Sequence, residues 1–166
     1  MSLTESNMLP LGTIAPPFIL PNVVTNNMES LGEHAGEKGT LIVFMCNHCP
    51  YVVHLLDHLV AFAKKNKQKS INTIAISSNE VENYPADHPK HMRALAIEKA
   101  FTFPYLYDEN QSVAKAYAAA CTPDFYLLDE KYKLIYRGRY DASRPGNTTP
   151  VSGEDLQKAI DLMLKK

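Results

Sequence analysis

Residues 41–52 read Leu41-Ile42-Val43-Phe44-Met45-Cys46-Asn47-His48-Cys49-Pro50-Tyr51-Val52. The apolar run Leu41 to Met45 has the composition of a strand buried on both faces. Past Cys49 the period changes. Val52, Leu55, Leu56, Leu59, Val60 and Ala63 recur on one helical face, with His54, Asp57 and His58 on the opposite, polar face. Lys64, Lys65 and Lys67 suit the negative end of that helix's dipole. Proline is favoured at the first helical position, which makes Pro50 that residue and Cys49 the N-cap. Ile71 to Ser77 is again rich in β-formers. Residues 41–77 are therefore expected to form a βαβ unit with parallel strands and a right-handed crossover.

Upstream, residues 1–17 read as an irregular arm, and 1–11 in particular carry no periodic pattern. Phe18 to Val24 reads as a short strand interrupted by Pro21, hence an edge or a bend. Downstream, Asp87 is expected to cap a helix that has His88 and Pro89 in its first turn and runs to about Ala100. Pro104 to Tyr107 reads as extended and Gln111 to Ala119 as a short helix. Phe125 to Leu128 and Leu134 to Tyr140 flank Asp129 to Lys133 as a hairpin. Ser152 with Asp155 has the pattern of a capping box before an apolar stripe of Leu156, Ala159, Ile160, Met163 and Leu164. The order is βαβ, an inserted helical stretch, then ββα.

Composition sets outer limits. The 166 residues suit one domain over 1–166. With 17 basic against 18 acidic side chains there is no basic footprint, so nucleic acid is not an expected partner. The longest clean apolar run is far short of the roughly 20 residues of a membrane span, so no membrane partner is expected. With no targeting segment read at the N-terminus, a cytoplasmic address follows. Three cysteines are too few for a disulfide scaffold and odd in number. They call for a chemical use.

Cys46, Asn47, His48 and Cys49 form a C-x-x-C, a spacing shared by redox and zinc sites; its place between a strand and a helix favours redox. A helix N-terminus offers free N–H donors and a partial positive charge that stabilise a thiolate. His48 beside Cys49 is a candidate for charge stabilisation of that thiolate, weighed against a solvated loop histidine. Some 75 residues later Cys121, Thr122 and Pro123 directly precede the hairpin.

Strand, C-x-x-C, helix, strand, then Thr-Pro before a ββα ending resembles the thioredoxin fold: an α/β fold with a central mixed β-sheet flanked by helices. The N-terminal extension and the insertion after the βαβ unit resemble its redoxin branch, which includes the AhpC/TSA-like and TlpA-like proteins. The resemblance implies that Pro123 is cis and lies against the C-x-x-C, with Thr122 offering its backbone to an extended substrate. It implies thiol–disulfide exchange at Cys46 and Cys49, supported by His48, Pro50, Thr122 and Pro123. The partners it implies are a protein or small-molecule disulfide and a thiol reductant, and no organic cofactor or metal is expected. Cys121 is a candidate additional resolving thiol, weighed against a buried inert cysteine.

Two registers compete. In one, Cys46 is the nucleophile and Cys49 resolves. In the other the order is reversed, since thioredoxins place the strand phenylalanine five residues before the nucleophile and five from Phe44 is Cys49. Cys49-Pro50-Tyr51-Val52 then resembles the glutaredoxin C-P-Y-C with valine last. Dipole effects fade within one turn, which favours Cys49. A thiol peroxidase of the AhpC/TSA type is the alternative, but it uses P-x-x-x-T-x-x-C plus an arginine. Cys46 stands where the threonine would be, Ile42 where the proline would be and Pro123 where the arginine would be. A copper or zinc site at Cys46, Cys49 and His48 is a further alternative. His54 and His58 have helical metal-pair spacing but lie on the polar face, where solvent is the expected neighbour.

Overall fold

The computed structural model describes residues 9–119 and 121–165. The expected arm over 1–11 lies outside them as far as residue 8. From there the chain is tied down: Gly12 N–H donates to Leu134 O at 2.7 Å and Ala15 N–H to Tyr132 O at 2.8 Å.

Strands β1 (Ile19–Pro21) and β2 (Met28–Ser30) pair antiparallel as a separate two-stranded sheet. Helix α1 (Leu31–His34) follows with a capping box between Ser30 and Glu33. The expected strand at 18–24 is thus a short hairpin arm, with Pro21 at its end, where a missing N–H does least harm.

The main sheet holds β3 (Gly39–Phe44), β4 (Ile71–Ser77), β5 (Tyr105–Tyr107), β6 (Asp124–Asp129) and β7 (Leu134–Gly138) in the order β5-β4-β3-β6-β7. β3 pairs parallel with β4 and antiparallel with β6, so the sheet is mixed. Strand β3 is central and buried at every position. Its alternation sorts the core into two layers. Leu41, Val43 and Met45 join the layer under α2 (Pro50–Lys67) and α5 (Glu154–Leu164). Ile42 and Phe44 join the layer with Leu20, Leu31, Tyr117 and Tyr126. Val52, Leu55, Leu56, Leu59 and Phe62 of α2 are buried. Each stabilises by about 1.5–3 kcal/mol relative to exposure. Among the described residues no helix is long and apolar enough to cross a membrane.

The insertion after β4 holds a single 3-10 turn (Pro85–Asp87) and α3 (Pro89–Glu98). His88 is the N-cap of α3, its Nδ1 accepting from Lys90 N–H at 3.1 Å. The expectation that Asp87 caps this helix is corrected, because its carboxylate turns inward. Helix α4 (Ser112–Ala116) is shorter than expected. The expected capping box of α5 is also absent. Its N-cap is Gly153, and the N–H groups of Ser152 and Gly153 donate to Asp141 at 2.7 and 2.8 Å.

Candidate active site

At the end of β3 the ladder runs one residue further, Met45 N–H donating to Ile76 O at 2.9 Å. The chain then turns through Cys46 to Cys49 and enters α2 with Cys49 as N-cap and Pro50 first in the helix. Cys49 O accepts from the N–H groups of Val52 and Val53, both at 2.9 Å. The Cys49 side chain makes no capping bond. Its sulfur faces Thr122 O at 3.6 Å. The N–H of Cys49 itself donates to Cys46 Sγ at 3.2 Å.

The peptide bond between Thr122 and Pro123 is cis. Thr122 bridges both sulfurs, its carbonyl to Cys49 and its hydroxyl to Cys46 Sγ at 3.6 Å. Cys46 is buried and Cys49 half-buried. Burial pushes the Cys46 thiol up to about 11, and the nearby carboxylate of Asp87 adds to it.

His48 is exposed to solvent, yet its ring is held in place. Its Nδ1 pairs with Asp87 Oδ2 at 2.7 Å, and its ring stacks on Tyr84 with centroids 5.3 Å apart. Asp87 is fully buried. It also accepts from Asn47 N–H and from Asn79 Nδ2, each at 2.8 Å. Tyr105 Oη donates to Asn47 Oδ1 at 2.9 Å. The Cys46 sulfur, a His48 ring nitrogen and an Asp87 oxygen lie within 4.8 Å of one another. That trio is the candidate metal-holding group among the described residues, and it differs from the expected set by having Asp87 in place of Cys49.

Asp87, Asn79 and Tyr105 carry no motif in sequence; their approach to Cys46–Cys49 is made by the turn after β4 and by β5. Cys121 is exposed, and burial of its partly covered sulfur raises its thiol. It lines the same cleft as Cys46, Cys49, Thr122 and Pro123, a cleft of about 930 Å³. The solvated reading of His54 and His58 is corrected. His58 Nδ1 hydrogen-bonds Tyr140 Oη and its ring packs edge-on to the Tyr140 ring, while His54 Nε2 is buried. They serve packing and the cleft wall, not one another.

A mixed sheet in this order, a C-x-x-C at the junction of β3 and α2, and a cis-proline beside it define a thioredoxin-fold protein of the redoxin branch. The AhpC/TSA family model matches residues 11–137, and the chain belongs to that family. An uncharacterised conserved protein from Geobacillus kaustophilus is 49% identical, with 99% of this chain and 87% of that one covered at a TM-score of 0.95. A hypothetical protein from Sinorhizobium meliloti is 41% identical, covering 98% and 88% at a TM-score of 0.93. The thioredoxin domain of a thiol-disulfide oxidoreductase from Bacteroides vulgatus shares the fold at 18% identity, covering 93% and 97% at a TM-score of 0.69. No curated protein matches the chain.

Proposed function

We propose that the protein is a thiol–disulfide oxidoreductase in which Cys49 attacks and Cys46 resolves. The observation that carries this reading is the contrast between the two thiols of one C-x-x-C. Both line the cleft, but Cys49 is half-buried at the helix start whereas Cys46 is only 1% exposed.

The Cys49 thiolate attacks one sulfur of a partner disulfide. That S–S bond breaks, a mixed disulfide forms and the first partner thiolate leaves with a proton from solvent. Cys46 then loses its proton to His48, whose Nδ1–H is held by Asp87. Its sulfur attacks Cys49, the Cys46–Cys49 disulfide forms and the second partner thiolate departs, taking that proton. The partner gains two electrons, and a separate thiol reductant returns two to the protein. Cys121, on the same cleft, is a second resolving thiol for the mixed disulfide.

The peroxidase alternative lacks support at the three positions occupied by Cys46, Ile42 and Pro123. Equilibration in thiol–disulfide buffers of graded potential, followed by alkylation and mass measurement, tests the exchange reading. Cooperative loss of two alkylatable thiols, mapped to Cys46 and Cys49, is expected. Persistence of both thiols under oxidising buffer would sink it.

A further inference from the structure

The segment from Arg139 to Ser152 joins β7 to α5 and takes no part in the exchange steps, yet it is held in a defined shape. Asp141 accepts from Ser143 N–H at 2.8 Å, from the Ser143 hydroxyl, and from the N–H groups of Ser152 at 2.7 Å and Gly153 at 2.8 Å. One carboxylate thus ties both ends of the loop together. Arg144 donates from its N–H to Asn147 Oδ1 at 3.2 Å and from its guanidinium to Ser143 O at 3.0 Å. Tyr140 anchors the stem by stacking on Phe125 with centroids 5.3 Å apart. The result is a braced loop that sets Arg144 into the wall of the cleft holding Cys49.

The permanently charged side chains lining that cleft are Lys115, Arg139 and Arg144 against Asp141. Arg139 is taken up by Asp155, and the Asp141 carboxylate turns to four neutral donors of its own loop while keeping its charge. Lys115 and Arg144 have no ion-pair partner among the described residues. The whole chain carries a formal charge of −1, so the positive excess belongs to this cleft and not to the surface at large. Its volume of about 930 Å³ is that of a site for a small molecule.

We propose that the cleft selects small disulfides that carry a carboxylate near the scissile bond, drawn by the positive charges of Arg144 and Lys115 in its lining. The inference rests on the exchange reading and names its substrate class. The reacting bond is placed at Cys49 and the carboxylate along the wall toward the 139–152 loop. Opposite charge raises the local concentration of substrate in a cleft of low dielectric.

The test oxidises the reduced full-length protein with dithiodipropionate (anionic), hydroxyethyl disulfide (neutral) and cystamine (cationic). Each rate is divided by that disulfide's rate with free dithiothreitol. The anionic compound is expected to lead the cationic one by about tenfold, with a lead that shrinks at high salt. Arg144→Gln with Lys115→Gln should abolish the lead, Arg144→Lys should preserve it and Arg144→Glu should reverse it. Equal rates for the three disulfides, or a lead that survives the double glutamine variant, overturns the subsite while leaving exchange intact. Failure of all three to oxidise the protein overturns the exchange reading and the subsite with it.

Discussion

The backbone N–H of Cys49 donates to the sulfur of Cys46 at 3.2 Å, so the loop that opens α2 directs its N–H at the buried thiol and leaves the half-buried one to face Thr122. The two sulfurs of one motif therefore sit in different environments. One is buried and hydrogen-bonded from its own loop, and the other is half-buried beside the Thr122 carbonyl.

This asymmetry predicts the outcome of trapping. Cys46→Ser should accumulate a mixed disulfide between Cys49 and a partner, because the resolving sulfur is gone. Cys49→Ser should form none. Non-reducing electrophoresis with a disulfide-bonded protein substrate reads both, and the reverse pattern would exchange the two roles.

The His48–Asp87 pair should matter to resolution more than to the first attack. Asp87→Asn removes the acceptor that holds His48 Nδ1, and His48→Gln removes the proton acceptor. Loss of a positioned acid–base group should slow resolution of the mixed disulfide by about 100-fold, with attack by Cys49 changed far less. Rapid-quench measurement of the two phases separates them. Asp87 is also fully buried and holds the Cys46–Cys49 loop through Asn47 N–H. The asparagine variant should therefore lose about 1–3 kcal/mol of stability as well. His48→Gln, at a residue whose side chain is 38% exposed, is the cleaner kinetic test.

Cys46 makes alkaline stability titratable. Its thiol is raised from an ordinary 9.0 to about 11 by burial, so the folded state favours the protonated form. Its contribution is fully present below pH 9.0 and is lost as pH rises through about 11, where the unfolded chain has already released the proton. Denaturant midpoints of the wild type should fall faster than those of Cys46→Ala across that interval. Parallel curves would show that the thiol is not held in its neutral form.

Gly153→Ala should be costly. Gly153 has φ +66°, and an added Cβ would stand 2.9 Å from Tyr140 Cζ and 3.1 Å from Phe62 Cδ2. Left-handed strain alone is about 1–2 kcal/mol, and the two rings are packed on each other, so a total of about 2–3 kcal/mol is expected in denaturant unfolding. Gly12 also has positive φ but open space around it. Gly12→Ala should show the backbone strain without the added clash.

Asp141→Asn tests the loop brace. Four hydrogen bonds hold the Asp141 carboxyl below its ordinary value despite burial. Its stabilisation is complete above the ordinary value of 3.8 and is lost as pH falls through the lower folded one. The asparagine variant should be less stable at neutral pH by about 1–3 kcal/mol. The difference from wild type should close in strong acid, and a difference that persists there would assign the loss to packing.

What the sequence by itself determined is everything that repeats locally. The Leu41 to Met45 run, the helical stripe from Val52, Pro50 as first helical residue and the hairpin around Asp129 are short-range patterns, and each became the element expected of it. The cis bond at Pro123 was carried by likeness to a fold and not by any pattern in the residues. Tertiary structure alone decided where the polar side chains point. Asp87 looks like a helix cap because it precedes His88 and Pro89, but it reaches Asn47, 40 positions away. His58 lies on the polar face of its helix, yet it meets Tyr140, 82 positions away. Asp141 displaced the capping box anticipated at Ser152 by supplying its carboxylate from across the loop. Apolar periodicity is set by which face of an element is covered, and it is written into consecutive residues. A buried carboxylate or imidazole is satisfied by whatever donor or acceptor the folded chain brings beside it, and no local spacing records that partner.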